Sequence, residues 1–412
     1  MGAPPYERQR DSGCEVFGIV PDHWNVCRLK NFADVIMGQS PDSNDCNNEA
    51  IGPGFLQGNA DFGEKSPVAR SYCPVATKFA QPSDILLSVR APVGAINIAD
   101  HVYGIGRGLC AIRAHDPHSA RFLYYCLFLI RESLLSIAAG STYEAVTVDQ
   151  VANAVCLAPP ITEQSAIATF LDRETAKIDA LVAEQRRLIA LLKEKRQAVI
   201  SHAVTKGLNP DAPMKDSGIE WLGEVPEHWE VVAVKHLAML NSGDGITADS
   251  IDATGVYPVF GGNGLRGFTN AYTHDGHYVI IGRQGALCGN VNFGEGKFWA
   301  SEHAVVATSL RNINTVWLGE MIRSMNLNQY SETAAQPGLS MAAVGNLRTV
   351  FPHIEEQQHI AEFVRKKSTE FDSLSEQAER AIELLQERRT ALISAAVTGK
   401  IDVREYALQE TA

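Results

Sequence analysis

The sequence predicts an α+β protein in which two globular domains are separated by two long helices that form an antiparallel coiled coil, with a pseudo-twofold internal repeat. Three observations support this prediction. Residues 160–207 recur without a gap at 353–400, residues 11–24 recur at 216–229, and both long segments carry an apolar heptad. An internal repeat of this length constrains the fold more strongly than a local signal does. Each half of the chain is therefore predicted to contain a lead-in, a globular domain and a long helix.

The two long segments are predicted to be continuous helices. Neither contains proline or an internal glycine, and Gly207 and Gly399 stand at their C-terminal ends. A helix of roughly 44 residues is about 65 Å long. The predicted heptad core positions of the first copy are Ile167, Leu171, Glu174, Ile178, Leu181, Gln185, Leu188, Leu192, Lys195, Val199 and His202. The second copy repeats them from Ile360 to Ala395, with Leu374 at the position of Leu181.

An apolar stripe of this length requires a partner surface. We predict that the two copies pair with each other in antiparallel orientation, because the second copy ends the chain and is free to fold back. Two alternatives stay open at this point. The helices could pair between two chains, or each could pack on its own globular domain.

Composition limits the classes of protein that the chain can belong to. With 412 residues, of which 45% are hydrophobic, it has room for two or three domains with real cores. Its formal net charge of −12 argues against a protein that binds DNA through bulk positive charge. Contacts with nucleic acid must then come from local patches or from more basic partners, and we expect the isolated chain to bind DNA poorly.

The cysteines and the N-terminus indicate a cytoplasmic protein. The eight cysteines are scattered without a C-x-x-C pair, so we expect reduced, mostly buried thiols and neither a metal site nor a disulfide framework. No run approaches 18 consecutive apolar residues, and the first residues lack the apolar core of a signal peptide.

The chain divides into seven predicted segments. In order they are an N-terminal lead-in (1–20), a first globular domain (21–160), a first spacer helix (161–206), a linker with the second lead-in (207–224), a second globular domain (225–353), a second spacer helix (354–400) and a C-terminal tail (401–412). Both globular domains are rich in glycine and proline between short β-branched runs, which is typical of strands joined by loops. Helices are expected at 119–136 and 317–327.

Polar residues on corresponding loops of the two domains are candidate DNA contacts. Arginine, glutamine and asparagine hydrogen-bond base edges in the major groove. The candidates are Arg90, Asn97, Arg107, Arg266, Arg283, Gln284, Asn290 and His303. Arg90 and Arg283 are predicted to occupy the same register in the repeat. For each candidate the alternative is an ordinary solvated side chain.

Other patterns speak against catalysis. The glycine-rich stretch 260–268 lacks the Lys-Ser/Thr ending of a P-loop, so it fits a tight turn better than a nucleotide site. His23 and His228 recur beside Trp24 and Trp229 in the lead-ins, which favours packing over a role as catalytic bases.

The double arrangement resembles the specificity subunit of type I restriction-modification systems over nearly the whole chain. The resemblance is carried by the paired lead-ins VPDHW at 20–24 and VPEHW at 225–229, and by the helix starts PPITEQ at 159–164 and PHIEEQ at 352–357. The loop segments GNGLRGF (262–268) and GRQGA (282–286) also resemble that family's target-recognition domains.

The resemblance implies a non-enzymatic subunit that recognises double-stranded DNA. Two target-recognition domains would each read half of a split, asymmetric sequence, and the helices would set the spacing between the half-sites. The helices would also dock two methyltransferase subunits, and restriction/translocase subunits would join them. The chain itself would bind no cofactor or metal, since S-adenosylmethionine, ATP and Mg²⁺ belong to the partner subunits. No membrane partner is implied.

Two other functions compete with this one. A coiled-coil scaffold that does not bind DNA would fit the acidic balance and the long heptads. An enzyme would need a catalytic cluster, and neither an adenine-methyltransferase Asn/Asp-Pro-Pro-Tyr motif nor a Walker lysine is present.

Overall fold

The structure is a computed structural model that describes residues 4–14, 17–64, 66–115, 118–139, 145–285, 287–331 and 338–408. The chain forms two compact units. The first contains Met1–Glu184 and Ala381–Ala412, and the second contains Gln185–Arg380. The two long helices each begin in one unit and end in the other.

The first unit contains twelve described strands. They are β1 (Gln9–Asp11), β2 (Ile19–Pro21), β3 (Asn25–Arg28), β4 (Ala33–Met37), β5 (Gly54–Leu56), β6 (Ser71–Tyr72), β7 (Phe79–Ala80), β8 (Ile85–Ser88), β9 (Ile96–Ile98), β10 (Tyr103–Ile105), β11 (Leu109–Ala114) and β12 (Val155–Ala158). Its helices are α1 (Ala120–Ala139), α2 (Val148–Ala152) and the start of α3 (Ile161–Lys206).

The second unit begins within α3. Its strands are β13 (Met214–Asp216), β14 (Glu224–Pro226), β15 (Glu230–Ala233), β16 (Ala238–Ser242), β17 (Tyr257–Gly261), β18 (Gly264–Thr269), β19 (His274–Gly282), β20 (Val291–Ala300), β21 (Ala304–Ser309) and β22 (Arg348–Phe351). Its helices are α4 (Thr315–Ser324), α5 (Met341–Asn346) and the start of α6 (Ile354–Val397), and the chain returns to the first unit before α7 (Arg404–Leu408). The helices expected at 119–136 and 317–327 are thus present as α1 and α4, and the two long helices are confirmed.

The sheets of the two units share one strand order. The second unit has a six-stranded sheet in the order β16-β21-β19-β20-β17-β18, and the first has two four-stranded sheets, β4-β11-β8-β9 and β6-β5-β10-β7. Strand β19 corresponds to β7 followed by β8, and β20 corresponds to β9 followed by β10. A parallel pairing between described strands is also shared, since β5 lies parallel to β10 and β17 lies parallel to β20.

A local break explains why the first sheet is divided. Pro82 lacks the N–H that a ladder requires, and Ser83 adopts a φ of 74°. The Asp84 carboxylate accepts a hydrogen bond from the Gln81 N–H (2.7 Å), which closes this interruption into a turn. The second unit has no such break within β19, so its strand continues for nine residues.

The repeated lead-in and helix-start motifs meet in the structure, in a contact that we name the helix clasp. In the first clasp, the Trp24 indole N–H donates to Glu163 Oε2 (2.9 Å), and His23 Nε2 lies 2.7 Å from Glu163 Oε1. Trp24 is fully buried and packs with Val397, near the end of α6. Tyr6 also donates to Glu163 (3.0 Å), and burial together with this carboxylate raises the pKa of Tyr6.

The second clasp repeats these contacts at the equivalent positions. The Trp229 indole N–H donates to Glu356 Oε2 (2.8 Å), and His228 Nε2 lies 2.9 Å from the same oxygen. Trp229 packs with Val204, near the end of α3. In each unit, therefore, a tryptophan joins the start of one long helix to the end of the other. Both histidines take part in the clasp through these contacts with the glutamates.

The glutamine that follows each clasp glutamate is buried and joins the helix start to its globular domain. Gln164 Nε2 donates to Pro159 O (3.0 Å), and Gln357 Nε2 donates to Pro352 O (2.8 Å). The Asn314 N–H, at the N-cap of α4, donates to Gln357 Oε1 (2.9 Å). Both residues of the repeated Glu-Gln motif thus have a structural reason to recur.

The heptad register predicted for the helices is wrong at alternate core positions. Leu181 and Leu188 are 51% and 43% exposed, whereas Val182 is 9% exposed and Ile189 is half-buried. In α6, Leu374 is likewise 46% exposed. In α3 the apolar residues Leu181 and Leu188 are each followed directly by a second apolar residue, Val182 or Ile189. The sequence therefore allows two apolar stripes, and packing buries the one that contains Val182 and Ile189.

The two long helices contact each other within each unit through equivalent ion pairs. In the first unit Arg389 Nε lies 3.0 Å from Asp179 Oδ1, and in the second Arg196 Nη1 lies 2.6 Å from Asp372 Oδ1. Arg196 aligns with Arg389, and Asp179 aligns with Asp372, in the internal repeat. Exposed pairs of this kind contribute only about 0–1 kcal/mol each. They nevertheless join the same two repeat positions of the long helices in both units.

Helix α1 is long and apolar enough to cross a membrane, but it packs inside the first unit. Its most apolar window is 44% buried, and Phe122, Leu123, Leu127 and Ile130 belong to the core. It is therefore the core helix of this globular domain.

Candidate nucleic-acid interface

A polar cleft in the first domain brings two of the predicted arginines together. Its volume is about 270 Å³. Its lining residues are Ser40, Gln57, Gly58, Asn59, Arg90, Ala91, Arg107 and Gly108. Arg90 follows β8, and Arg107 lies in the turn between β10 and β11, where its backbone N–H donates to Ser40 Oγ (3.1 Å). None of these lining residues is acidic, so the cleft offers guanidinium, amide and hydroxyl groups suited to base edges and phosphates.

Three polar side chains of the cleft were not among the residues predicted from the sequence. Ser40, Gln57 and Asn59 come from the segments after β4 and β5, which are far from Arg90 in the sequence. The signal that could have found them is their position directly after a short strand, in a stretch rich in glycine and asparagine.

Asn97, predicted as a DNA contact, is instead buried inside the first domain. It lies in β9 and is only 5% exposed. Its amide donates to Gly63 O (2.8 Å) and accepts from the Ile98 N–H (2.8 Å). A buried amide with both functions satisfied supports the fold, because leaving either partner unpaired would be costly.

In the second domain, three predicted residues form one cluster. His303 Nδ1 lies 3.0 Å from Gln284 Oε1, and the Arg283 backbone N–H donates to His303 O (2.9 Å). The Arg283 guanidinium donates to Ser242 Oγ (2.9 Å), which holds it at the end of β16. The loop after β19 and the turn before β21 therefore present a joint polar surface.

The glycine-rich turn places Arg266 close to this cluster. A side chain at Gly261 would meet the aliphatic part of Arg266, and one at Gly262 would meet the carbonyl oxygens of Gln284 and His303. Gly261 and Gly262 therefore allow Arg266 and these carbonyl oxygens to lie close to the backbone of the turn. Arg266 is exposed on β18.

Asn290 lies at the base of the same loop, just before β20. Its side chain is exposed, and its carbonyl accepts from the Gly282 N–H (2.8 Å). Asn290 therefore lies at the edge of this polar surface, and the hydrogen-bonded pair Gln284 and His303 lies at its centre.

The predicted equivalence of Arg90 and Arg283 is wrong by one residue. The N–H of Val89 donates to Gly108 O (2.9 Å), as that of Arg283 does to His303 O (2.9 Å). By this ladder Val89 corresponds to Arg283, and Arg90 corresponds to Gln284. The register of the spacer helices does not extend back through the loops, because the loops of the two domains differ in length.

Comparison with known proteins agrees with this arrangement. The family described as type I restriction modification DNA specificity domain matches residues 21–189 and again residues 226–384. The chain is 30% identical over 314 residues to the type I restriction enzyme EcoprrI specificity subunit of Escherichia coli, covering 73% of this chain and 74% of that protein. It is 34% identical over 191 residues to the putative type I restriction enzyme MjaX specificity subunit of Methanocaldococcus jannaschii, covering 46% and 44%.

A solved structure shares the fold. A chain from work on complex assembly and conformational transition of the type I R-M system superposes with a TM-score of 0.65 at 17% identity, covering 92% of this chain and 98% of that chain. The family match covers most of the sequence, and it falls once on each half of the internal repeat. The chain therefore belongs to the type I restriction-modification DNA specificity family, as a non-catalytic specificity subunit that recognises a DNA target.

Proposed function

We propose that this specificity subunit reads a bipartite, asymmetric DNA sequence, with one half-site for each globular domain. The observation that carries the proposal is the contrast between repeated scaffold and unrepeated surface. The two helix clasps share a tryptophan and a histidine bonded to the same repeated glutamate, whereas the cleft of the first domain and the Gln284–His303 cluster of the second carry different side chains. Domains with different polar surfaces on equivalent scaffolds are suited to different half-sites.

We further propose that α3 and α6 form one antiparallel coiled coil that acts as the spacer between the half-sites. The equivalent Arg389–Asp179 and Arg196–Asp372 contacts support this, because both follow one helix register. A rigid spacer fixes the number of unread base pairs, as dimer geometry does in other bipartite readers.

The proposed partners are two methyltransferase subunits, docked on the long helices, and restriction/translocase subunits. The support in this chain is a set of exposed leucines at equivalent positions of the two helices, Leu181 with Leu374 and Leu191 with Leu384. S-adenosylmethionine, ATP and Mg²⁺ are assigned to those partners, and the complex is proposed to act in the cytoplasm. The net charge of −12 supports a division of labour in which partners supply much of the phosphate contact.

A methylome experiment tests the proposed function. The chain is expressed with its methyltransferase partner in a host free of DNA methylation, and modified adenines are located by long-read sequencing. We expect a split, asymmetric motif with methyladenine on both strands. Replacing residues 225–353 with the corresponding domain of a relative should change one half of the motif, and replacing residues 21–160 should change the other half.

The competing scaffold function predicts a different result. If the partner is folded and bound but no new methylation appears, the proposal is wrong and a scaffold without DNA recognition becomes the better explanation. A swap of one domain that alters both halves would contradict the assignment of one half-site to each domain.

A further inference from the structure

One turn occupies the same place in both recognition domains and carries opposite charges. The turn 106–109 is closed by a hydrogen bond from its last N–H to its first carbonyl (3.0 Å), and the turn 301–304 is closed in the same way (2.9 Å). Each turn also donates from its first N–H to the strand alongside, at 2.8 Å in both cases. This shared ladder makes Arg107 of the first domain the structural counterpart of Glu302 in the second.

Glu302 is connected to the polar cluster of the second domain. Its Oε1 lies 3.2 Å from His303 Nε2, and the other ring nitrogen of His303 faces Gln284. Glu302 Oε2 is shielded from solvent and has no hydrogen-bond partner among the described residues, although the side chain as a whole is 42% exposed. Shielded acceptors are almost always paired, so the missing donor at this oxygen is unusual and indicates a partner outside the chain.

A carboxylate is costly on a surface that faces DNA, because the phosphates repel it. It becomes favourable where it accepts a hydrogen bond from a base amino group, which is N4 of cytosine or N6 of adenine in the major groove. Arginine has the opposite preference and pairs with O6 and N7 of guanine. The same turn therefore presents a donor in one domain and an acceptor in the other.

We propose that Glu302 is a specificity-determining residue that accepts a hydrogen bond from a base amino group in the second half-site. Arg107, at the same place in the first domain, reads guanine. This assignment rests on the proposed bipartite function and deepens it, since it names the hydrogen-bonding chemistry of one base position in each half-site.

The test is the methylome of Glu302→Gln beside wild type, each with the methyltransferase partner. Glutamine keeps an oxygen for His303 but loses the charge and gains a donor. We expect one position of the second half-site to become degenerate, with methylation of the original sequence about tenfold slower or more. The first half-site should not change. The base pair that relaxes distinguishes cytosine from adenine.

Two further variants make the result decisive. Arg107→Gln should relax one guanine position in the first half-site only, and Glu295→Gln, an exposed glutamate on β20, should leave the motif unchanged. A Glu302→Gln methylome identical to wild type in motif and rate overturns the inference while leaving the bipartite function intact. If Glu302→Ala alters recognition but Glu302→Gln does not, Glu302 only positions His303, and the inference is also overturned.

An independent observation concerns the cysteines of the first domain. Cys27 in β3 and Cys156 in β12 are directly opposed across an antiparallel ladder. Cys46 precedes and Cys73 follows the isolated antiparallel bridge between residues 47 and 72, so the two lie on the same side of that bridge and face each other across it. Opposed residues in antiparallel strands have Cα atoms about 4.5–5.5 Å apart, which lies within the range that a disulfide spans.

We infer that both pairs are sites of oxidative cross-linking. Each pair of thiols gives up two protons and two electrons to a peroxide, forming one S–S bond while the peroxide is reduced to two waters. In the second domain Val232 and Thr349 stand at the positions of Cys27 and Cys156, and they are paired in the same way. A disulfide at this place in the fold can therefore form only in the first domain.

Peptide mapping under non-reducing conditions, after hydrogen peroxide treatment of the folded chain, tests this inference. We expect linked peptides 27–156 and 46–73 to form before the half-exposed Cys14 is modified. In the variant carrying Cys27→Val and Cys156→Thr, the residue types that the second domain uses, only the 46–73 link should form. Oxidation of Cys14 with both pairs still as free thiols would overturn the inference.

Discussion

Replacement of Trp24 by alanine should lower the free energy of unfolding by about 3–5 kcal/mol, the range for removing a large aromatic side chain from a core. Trp24 is 0% exposed, and its indole N–H is bonded to Glu163, which is itself buried. The substitution therefore leaves both a cavity and a carboxylate with one donor fewer. Urea unfolding followed by circular dichroism measures the effect.

The matched control is Tyr272→Ala, because Tyr272 is 45% exposed and should cost far less. Trp24→Phe should give an intermediate loss, since it fills much of the space but cannot donate to Glu163. Trp229→Ala should destabilise as Trp24→Ala does, because Trp229 is equally buried and bonds Glu356. Equal midpoints for Trp24→Ala and Tyr272→Ala would show that the clasp does not stabilise the fold.

The double variant Leu181→Glu with Leu374→Glu should abolish stable assembly with the methyltransferase subunits. These leucines are 51% and 46% exposed and occupy equivalent positions of the long helices. A buried interface leucine that becomes charged is expected to cost about 2 kcal/mol or more, roughly 30-fold in affinity per site. Co-purification and calorimetry with the purified methyltransferase subunit provide the measurement.

The control for this prediction is Val256→Glu, which changes an exposed residue of the second domain far from the helices in sequence. Both proteins should melt at the wild-type temperature, because neither site is part of the core. Wild-type affinity in the leucine variant would place the docking surface elsewhere on the chain.

The repeat made much of this molecule predictable from its sequence. Two long helices without proline, the doubled lead-ins and the paired Glu-Gln motifs identified the modular plan and the family. The clasps explain why these particular residues recur, since Trp24, His23 and Glu163 form one contact that the second module repeats. The heptad, in contrast, did not determine its own register.

The details of recognition depended on tertiary structure. Asn97 and Arg90 look alike as polar residues on loops, yet one is buried against Gly63 and the other lines a cleft. Glu302 was aligned with Arg107 in the sequence but was not among the candidate contacts, because an acidic residue is a poor candidate for DNA contact until its hydrogen-bond partners are known.

The sequence alone thus determined the repeat, the helices and the family, because these follow from periodicities and motifs that are local or copied within the chain. Only the tertiary structure decided which of Leu181 and Val182 faces the core, and which residue matches Arg283. Those choices arise because adjacent apolar residues satisfy two helix stripes equally well, and loops of unequal length carry no register of their own. Packing and strand pairing select between the alternatives.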